Sequence, residues 1–113
     1  MSTHSFNQFI FQNKSTSIND GEIYTNSYGD AITIGIYGTS SSFEVVFEGK
    51  VNEESNWVPL QFANLTTLDL KNSCTDIDTI WNASIAGIQF FRCRIQSINN
   101  GDISVVGNII SFY

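Results

Sequence analysis

Paired carboxylates are the first residues in this sequence that could do chemistry. Glu53 and Glu54 are adjacent in the stretch "NEESN", and Asp76 and Asp78 are two residues apart. Glycoside hydrolysis can use two carboxylates that face each other across a substrate, and loop carboxylates can bind calcium. Neighbours on a turn do not face each other, and nothing apolar is forced near Glu53 or Glu54 to raise a pKa. We interpret these acids as solvated, with calcium as an alternative if Asp76 and Asp78 share a strand face.

The usual partners of an enzymatic nucleophile are missing from the sequence. The only histidine is His4, close to the N-terminus, whereas serine and cysteine triads need a base beside the nucleophile. Cys74 and Cys93 are the only cysteines, and their spacing fits no metal motif. We therefore predict no catalytic residue, no cofactor, no metal and no enzymatic activity. Whether the two cysteines pair stays open.

Aromatic side chains are the remaining candidates for a binding site. Carbohydrate-binding modules stack sugars on exposed tryptophan and tyrosine rings above a β-sandwich, which makes Tyr28, Tyr37 and Trp57 candidate glycan-facing residues. The alternative for the two tryptophans, Trp57 and Trp81, is that they fill the ends of a sandwich core. We favour this core role for them and expect Tyr28 and Tyr37 to be the exposed rings.

The charge balance excludes several classes of partner. The chain has a net charge of -6 and only five basic residues, so it has no cationic patch for nucleic acid and is repelled by anionic lipid. No apolar stretch approaches the ~20 residues of a membrane span, and the N-terminus does not have the pattern of a signal peptide. Charged residues are 14% of the chain against a typical ~25%. We expect a protein made in a cytoplasm, whose weakly charged surface suits packing against neighbours.

Alternation with a period of two indicates β-strands throughout the chain. It is clearest at 31–37, 42–50 and 88–98, after a first strand at 6–12. The residues predicted to point inward are Ile32, Ile34, Ile36, Phe43, Val45, Phe47, Phe91, Cys93 and Ile95. Glu44, Glu48, Arg92, Arg94 and Gln96 alternate with them and are predicted to point outward. Such strands have one face buried in the core and the other exposed to solvent.

Turn signals between these strands predict the architecture. Asn100-Gly101 is the strongest hairpin signal in the chain and predicts antiparallel pairing of strand 88–98 with strand 102–112. Pro59 lacks an amide proton, which places its strand at an edge or at a strand start. We predict an all-β fold, an antiparallel two-sheet β-sandwich of about eight strands in a single domain, residues 1–113. A jelly-roll-like order is preferred, and an immunoglobulin-like order is the alternative.

The last strand is apolar on both sides. Ile103, Val105 and Ile109 are predicted to face one way. Val106, Ile110 and Phe112 are predicted to face the other way. A strand of this kind is usually covered on both sides, but a two-layer sandwich covers only one. We predict that a neighbouring subunit or partner covers Val106, Ile110 and Phe112, with a folded-over loop as the alternative.

Taken in order, several short motifs resemble a known group of proteins. A Gly-Thr-Ser turn (38–42), a glycine that ends a strand (Gly49), the Trp-x-Pro-Leu motif (57–60) and a late glycine before an aromatic-arginine strand (87–94) follow one another. This series resembles small β-sandwich accessory proteins of tailed bacteriophages and prophages, including exported proteins of defective prophages in bacilli. The resemblance covers residues 28–112 and implies tail, neck or capsid-surface components. It implies no shared catalytic set.

Two hypotheses about function follow from the residues and the resemblance. The first is a non-enzymatic phage or prophage structural protein, a virion component made in the bacterial cytoplasm, whose partners are copies of itself and other phage structural proteins. The second is a carbohydrate-binding module that recognises cell-surface glycan. A prophage-exported protein involved in host lysis, released from the cell, is a further alternative.

Overall fold

Two antiparallel β-sheets packed face to face form the part of the chain that the computed structural model describes, residues 5–111. The predicted all-β sandwich is therefore confirmed, and no helix occurs in this range. The strands are β1 (Ser5–Ser15), β2 (Tyr24–Thr25), β3 (Ala31–Gly38), β4 (Phe43–Lys50), β5 (Val58–Pro59), β6 (Phe62–Asn64), β7 (Leu70–Lys71), β8 (Ser73–Cys74), β9 (Thr79–Ser84), β10 (Phe90–Ile98) and β11 (Ile103–Ser111).

Eleven strands are present in this range where about eight were predicted. Four of them, β2, β5, β7 and β8, contain only two residues. Two residues are too few to show an alternation of apolar and polar side chains, since the period itself is two. The additional strands were therefore invisible to a search for periodicity.

One sheet has six strands in the order β1-β11-β3-β9-β6-β7. The face of this sheet that packs on the core contains the residues predicted to point inward from β3, since Ile32, Ile34 and Ile36 are all buried. Ile34 is directly opposite Trp81 of β9, and that indole is buried as well. The core role expected for Trp81 is thus confirmed.

The other sheet has five strands, β2-β10-β4-β5, with β8 also paired to β4. The predicted inward residues of β4 and β10 are buried, with Phe47 opposite Cys93 in the register. Pro59 pairs with Glu48 at the outer edge of the sheet, as the missing amide proton predicted. Its strand therefore ends the sheet on that side.

Aromatic rings from both sheets meet in the core. Phe47 and Phe62 have ring centroids 4.6 Å apart, and Phe62 and Phe91 are 5.4 Å apart. A buried glutamine also joins the two sheets, because Nε2 of Gln12 donates a hydrogen bond of 2.9 Å to the carbonyl of Cys93. The core is thus closed by packing and by one buried polar contact.

The hairpin predicted at Asn100-Gly101 is wrong. β10 pairs with β4 and β2 in one sheet, and β11 pairs with β1 and β3 in the other. The turn is an arch between the two sheets. Oδ1 of Asn100 accepts hydrogen bonds from the Ser41 amide at 3.0 Å and the Ser40 hydroxyl at 3.2 Å, so its side chain holds the neighbouring loop and does not support a two-residue hairpin.

The two cysteines flank β4 and do not pair. Cys74 is opposite Val45 on one side of β4, and Cys93 is opposite Phe47 on the other side. Both are free and buried. Burial raises the pKa of the Cys93 thiol well above its usual range, which is typical of an inert core cysteine.

Candidate functional site

On the four longest strands of the six-stranded sheet, Lys14 near the end of β1 is the only charged residue among those described, and the rest of the outer face of these strands is uncharged. We call the outward-pointing residues of β1, β11, β3 and β9 the uncharged face. Its members are Gln8, Ile10, Ser104, Val106, Asn108, Ile110, Ala31, Thr33, Gly35, Tyr37, Ile80, Asn82 and Ser84. A protein in which 14% of the residues are charged would ordinarily place several of them on an exposed sheet face.

An apolar row crosses this face. The pairs Ile10–Val106, Val106–Gly35 and Gly35–Ile80 are directly opposite in the register, so the row spans four strands, or about 14 Å. Ile10 and Ile80, at its two ends, are 47% and 50% exposed. A Cβ atom built on Gly35 would have no neighbouring atom within 4 Å, so the surface is slightly depressed in the middle of the row.

A row of amide and hydroxyl side chains runs beside the apolar row. Gln8, Asn108, Thr33 and Asn82 are successive neighbours across the same four strands. Nδ2 of Asn82 donates to the Thr33 hydroxyl at 3.0 Å. Oδ1 of Asn108 is buried and has no hydrogen-bond partner among the described residues. Amides both donate and accept hydrogen bonds, so this row can match another copy of itself.

The residues predicted as a partner surface lie on the uncharged face. Val106 and Ile110 point outward and are half-buried, whereas Ile103, Val105 and Ile109 are buried in the core. Phe112 lies outside the described residues. The sequence analysis missed Ile10, Gly35 and Ile80, although β3 and β9 contain no charged residue at all, which was a signal for the last two.

The outer face of the five-stranded sheet, in contrast, carries several charged side chains. Glu48 accepts hydrogen bonds from Arg92 Nε at 2.9 Å and from Arg94 at 3.1 and 3.2 Å. Its side chain is only 8% exposed. Burial by itself raises the pKa of Glu48, but the hydrogen bonds and charges of Arg94 and Arg92 outweigh it and hold the pKa below its usual value. Gln96 donates a hydrogen bond to Glu44, and Arg92 forms an ion pair with Asp20 at 3.4 Å. We call these six residues, Glu48, Arg92, Arg94, Glu44, Gln96 and Asp20, the charged ladder.

The three candidate glycan-facing aromatics are not brought together. Tyr28 and Tyr37 are 81% and 49% exposed, as expected, but they lie at opposite ends of β3. Trp57 is half-buried on the other sheet, where the Arg92 guanidinium lies 4.2 Å and Lys50 Nζ 5.0 Å from its ring centroid. The indole packs on the charged ladder through cation–π contacts, so the core role expected for Trp57 is wrong. These rings do not form one sugar-stacking platform.

The carboxylates do not form a site either. Glu53 and Glu54 are exposed in the turn between β4 and β5. Asp76 and Asp78 precede β9, which begins only at Thr79, so the two acids do not share a strand face. Within residues 5–111, no three histidine, cysteine or acidic side chains come close enough to hold a metal ion. His4 lies outside that range.

No helix long and apolar enough to cross a bilayer is found in the described part of the chain.

Comparison with known proteins gives consistent matches over nearly the whole chain. The model of the XepA family matches residues 5–109. The SPbeta prophage-derived protein YomS of Bacillus subtilis (strain 168) is 29% identical over 103 residues, which is 91% of this chain and 86% of YomS.

Two solved structures share the fold. The crystal structure of SPBc2 prophage-derived protein YomS aligns with a TM-score of 0.92 and 27% identity, covering 98% of this chain and 97% of that one. The crystal structure of PBSX exported protein XepA aligns with a TM-score of 0.93 and 22% identity, covering 98% of this chain but 39% of XepA. The second similarity is one of fold alone.

Proposed function

Because this chain belongs to the XepA family, with relatives from bacillus prophages, we propose that it is a non-enzymatic prophage accessory protein that works by associating with copies of itself. The resemblance to prophage proteins drawn from the sequence is confirmed by this membership. The proposal goes further in assigning a mode of action, which is contact between protein surfaces. It also assigns a place, the tail, neck or capsid surface of the particle.

The uncharged face is the observation that carries the proposal. Copies of a chain with a net charge of -6 repel one another, so they associate most easily through a surface without charge. Protein interfaces are depleted of charged residues at their centre. The apolar row supplies area to bury, and the amide row supplies groups that are complementary to themselves. Self-complementary patches are typical of symmetric oligomers.

The absence of enzymatic activity is proposed from the sequence and from the positions of the candidate side chains. The candidate carboxylates, Glu53, Glu54, Asp76 and Asp78, are exposed, and the thiols of both cysteines are buried in the core. The work of the molecule is then done by its sheet surfaces.

A charge placed on the uncharged face tests the proposal. Ile80→Lys adds a cation at the end of the apolar row, and we expect it to lower the oligomer mass measured by sedimentation or light scattering. Val58→Lys is the matched control, because Val58 is 53% exposed on the other sheet, close to the 50% of Ile80. Neither change at a half-exposed position should alter monomer stability by more than ~0.5 kcal/mol. A wild-type protein that stays monomeric at high concentration contradicts the proposal.

The location in the particle has a separate test. After prophage induction in the host, mass spectrometry of purified particles and of the cleared medium shows whether the protein is bound or released. We expect it on particles. Recovery only in the medium would favour a released protein involved in host lysis, in line with the description of XepA as an exported protein. The glycan-binding alternative has less support, because its three aromatic residues lie far apart.

A further inference from the structure

Two depressions at one end of the sandwich share an exposed tyrosine. Tyr28 lies in the loop between β2 and β3 and is 81% exposed, more than any other large apolar or aromatic side chain that the structure describes. One depression, of about 440 Å³, lies between this loop and the loop from β9 to β10. The other, of about 340 Å³, lies between the same loop, the start of β1 and the end of β11. Both volumes are in the range of small-ligand sites.

The loop that carries Tyr28 is held on both sides. Nδ2 of Asn26 donates hydrogen bonds of 3.1 Å to the carbonyls of Ile85 and Ile88, which belong to the loop after β9. Oγ of Ser111, at the end of β11, donates a hydrogen bond of 2.9 Å to the carbonyl of Tyr28. The backbone beneath the tyrosine ring is therefore tied to both neighbouring elements. Such preorganisation lowers the free-energy cost of binding a ligand.

The lining of the two depressions is mostly polar and almost uncharged. Besides Tyr28 it contains three amide side chains and four hydroxyl side chains, which are Asn7, Asn26, Gln89, Tyr24, Thr25, Ser27 and Ser111. Asp30 is the one charged residue among the lining residues that the structure describes, and none of them is basic. The larger apolar contribution comes only from Ala86 and Ile88.

This lining indicates the chemistry of the ligand. An anion would find no cation here and would meet Asp30 in a chain with a net charge of -6. An apolar ligand would find too little apolar surface to bury. A neutral sugar fits, because its hydroxyl groups bond amides, hydroxyls and a carboxylate, whereas its C–H face packs on an aromatic ring.

We propose that the Tyr28 loop binds a neutral oligosaccharide, with one sugar stacked on the Tyr28 ring and its hydroxyl groups and neighbouring sugar reaching into the two depressions. The site uses only one of the three aromatic residues considered from the sequence, so the distance to Tyr37 and Trp57 does not affect it. None of its lining residues belongs to the uncharged face. This inference and the proposed self-association can therefore fail independently.

NMR titration of the isotope-labelled protein tests the site. The probes are three neutral oligosaccharides, chitohexaose, maltohexaose and cellohexaose, each added up to a concentration on the order of 10 mM so that weak binding is detected. We expect at least one of them to shift the amide signals of residues 25–30 and 86–89. The signals of β4 and β5, on the other side of the molecule, should stay in place.

Substitutions of Tyr28 show whether the ring is the contact. Tyr28→Ala should weaken binding about tenfold or more, because the stacking surface is lost. Tyr28→Phe keeps the ring and should bind within about threefold of the wild type, since it loses only one exposed hydroxyl. Tyr37→Ala, at the other end of β3, is the matched control and should bind as the wild type does. All three variants should keep the wild-type Tm, because both side chains are exposed.

Two charged oligosaccharides test the choice of a neutral ligand. The hexamers of galacturonic acid and of glucosamine carry negative and positive charge, and both should bind more weakly than the best neutral probe. Tighter binding of either one would overturn the inference, because charge would then select the ligand. The inference is also overturned if no neutral probe binds, if Tyr28→Ala binds as well as the wild type, or if the shifted signals lie outside the two loops.

Discussion

Among single residues, Glu48 has the most demanding environment. It accepts hydrogen bonds from two arginines whose side chains are 13% and 26% exposed, and its own is 8% exposed. Arg92 in turn lies 4.2 Å from the Trp57 ring centroid. Removing the carboxylate charge would leave two guanidinium groups close together with less water than they need. Glu48 therefore organises the charged ladder and the position of Trp57 at once.

Glu48→Gln should lower the free energy of unfolding by about 1–3 kcal/mol. The value is below that for a fully buried pair because both arginines retain some contact with water. Urea unfolding at neutral pH measures it, with Glu54→Gln, an exposed turn residue, as the control. A loss no larger than that of the control would mean that the arginines find other partners.

The interaction of Glu48 with Arg92 and Arg94 also makes the free energy of unfolding depend on pH in the acid range. The folded-state pKa of Glu48 is lowered, so its contribution is fully present above the unfolded-state pKa of about 4.3 and is lost as the pH falls through the folded-state value. The wild type should therefore lose more stability below pH ~4 than Glu48→Gln does.

Among the elements, the arch between β10 and β11 decides the topology. Gly101 has a φ of +63°, and a Cβ there would lie 2.7 Å from the Ser40 amide nitrogen. The arch thus needs both a left-handed backbone and close contact with the loop before β4. The strands on its two sides lie in different sheets.

Gly101→Ala should cost more than Gly87→Ala. Both glycines have positive φ, which costs alanine about 1–2 kcal/mol, but a Cβ on Gly87 would meet nothing within 4 Å. The clash with the Ser40 backbone should add about 1–3 kcal/mol at Gly101 only. Thermal or urea unfolding of the two variants gives the difference. Equal losses would show that the neighbouring loop moves aside freely.

For the whole molecule, the distribution of charge separates the two outer sheet faces. Arg92, Arg94 and Lys50, three of the five basic residues, lie on the five-stranded sheet, and Glu48, the acidic partner of both arginines, lies there with them. The uncharged face has neither sign. Association through that face gains nothing from ion pairs and is opposed by the net charge of -6.

Salt should therefore strengthen self-association. The Debye length falls from ~10 Å at 0.1 M to ~3 Å at 1 M salt, which screens the repulsion between copies while the apolar row is unaffected. Sedimentation at rising sodium chloride should show an increasing oligomer fraction. Dissociation by salt would instead indicate that ion pairs form the contact, in conflict with the uncharged face.

The sequence by itself determined which residues face inward on β3, β4 and β10, because alternation is a local property of a strand and each of these strands had enough residues to show it. It also indicated the family. It did not determine which strands pair. An Asn-Gly turn reverses the chain direction, but the strand that follows can enter either the same sheet or the opposite one.

The uncharged face was decided only by the tertiary structure. The apolar row takes one residue from each of four strands, and those residues, Ile10, Gly35, Ile80 and Val106, are 25 or more positions apart in the chain. The position of β1 at one edge of its sheet is likewise a result of the strand order. Surfaces of this kind depend on the order and register of strands, and these are set by packing between distant segments.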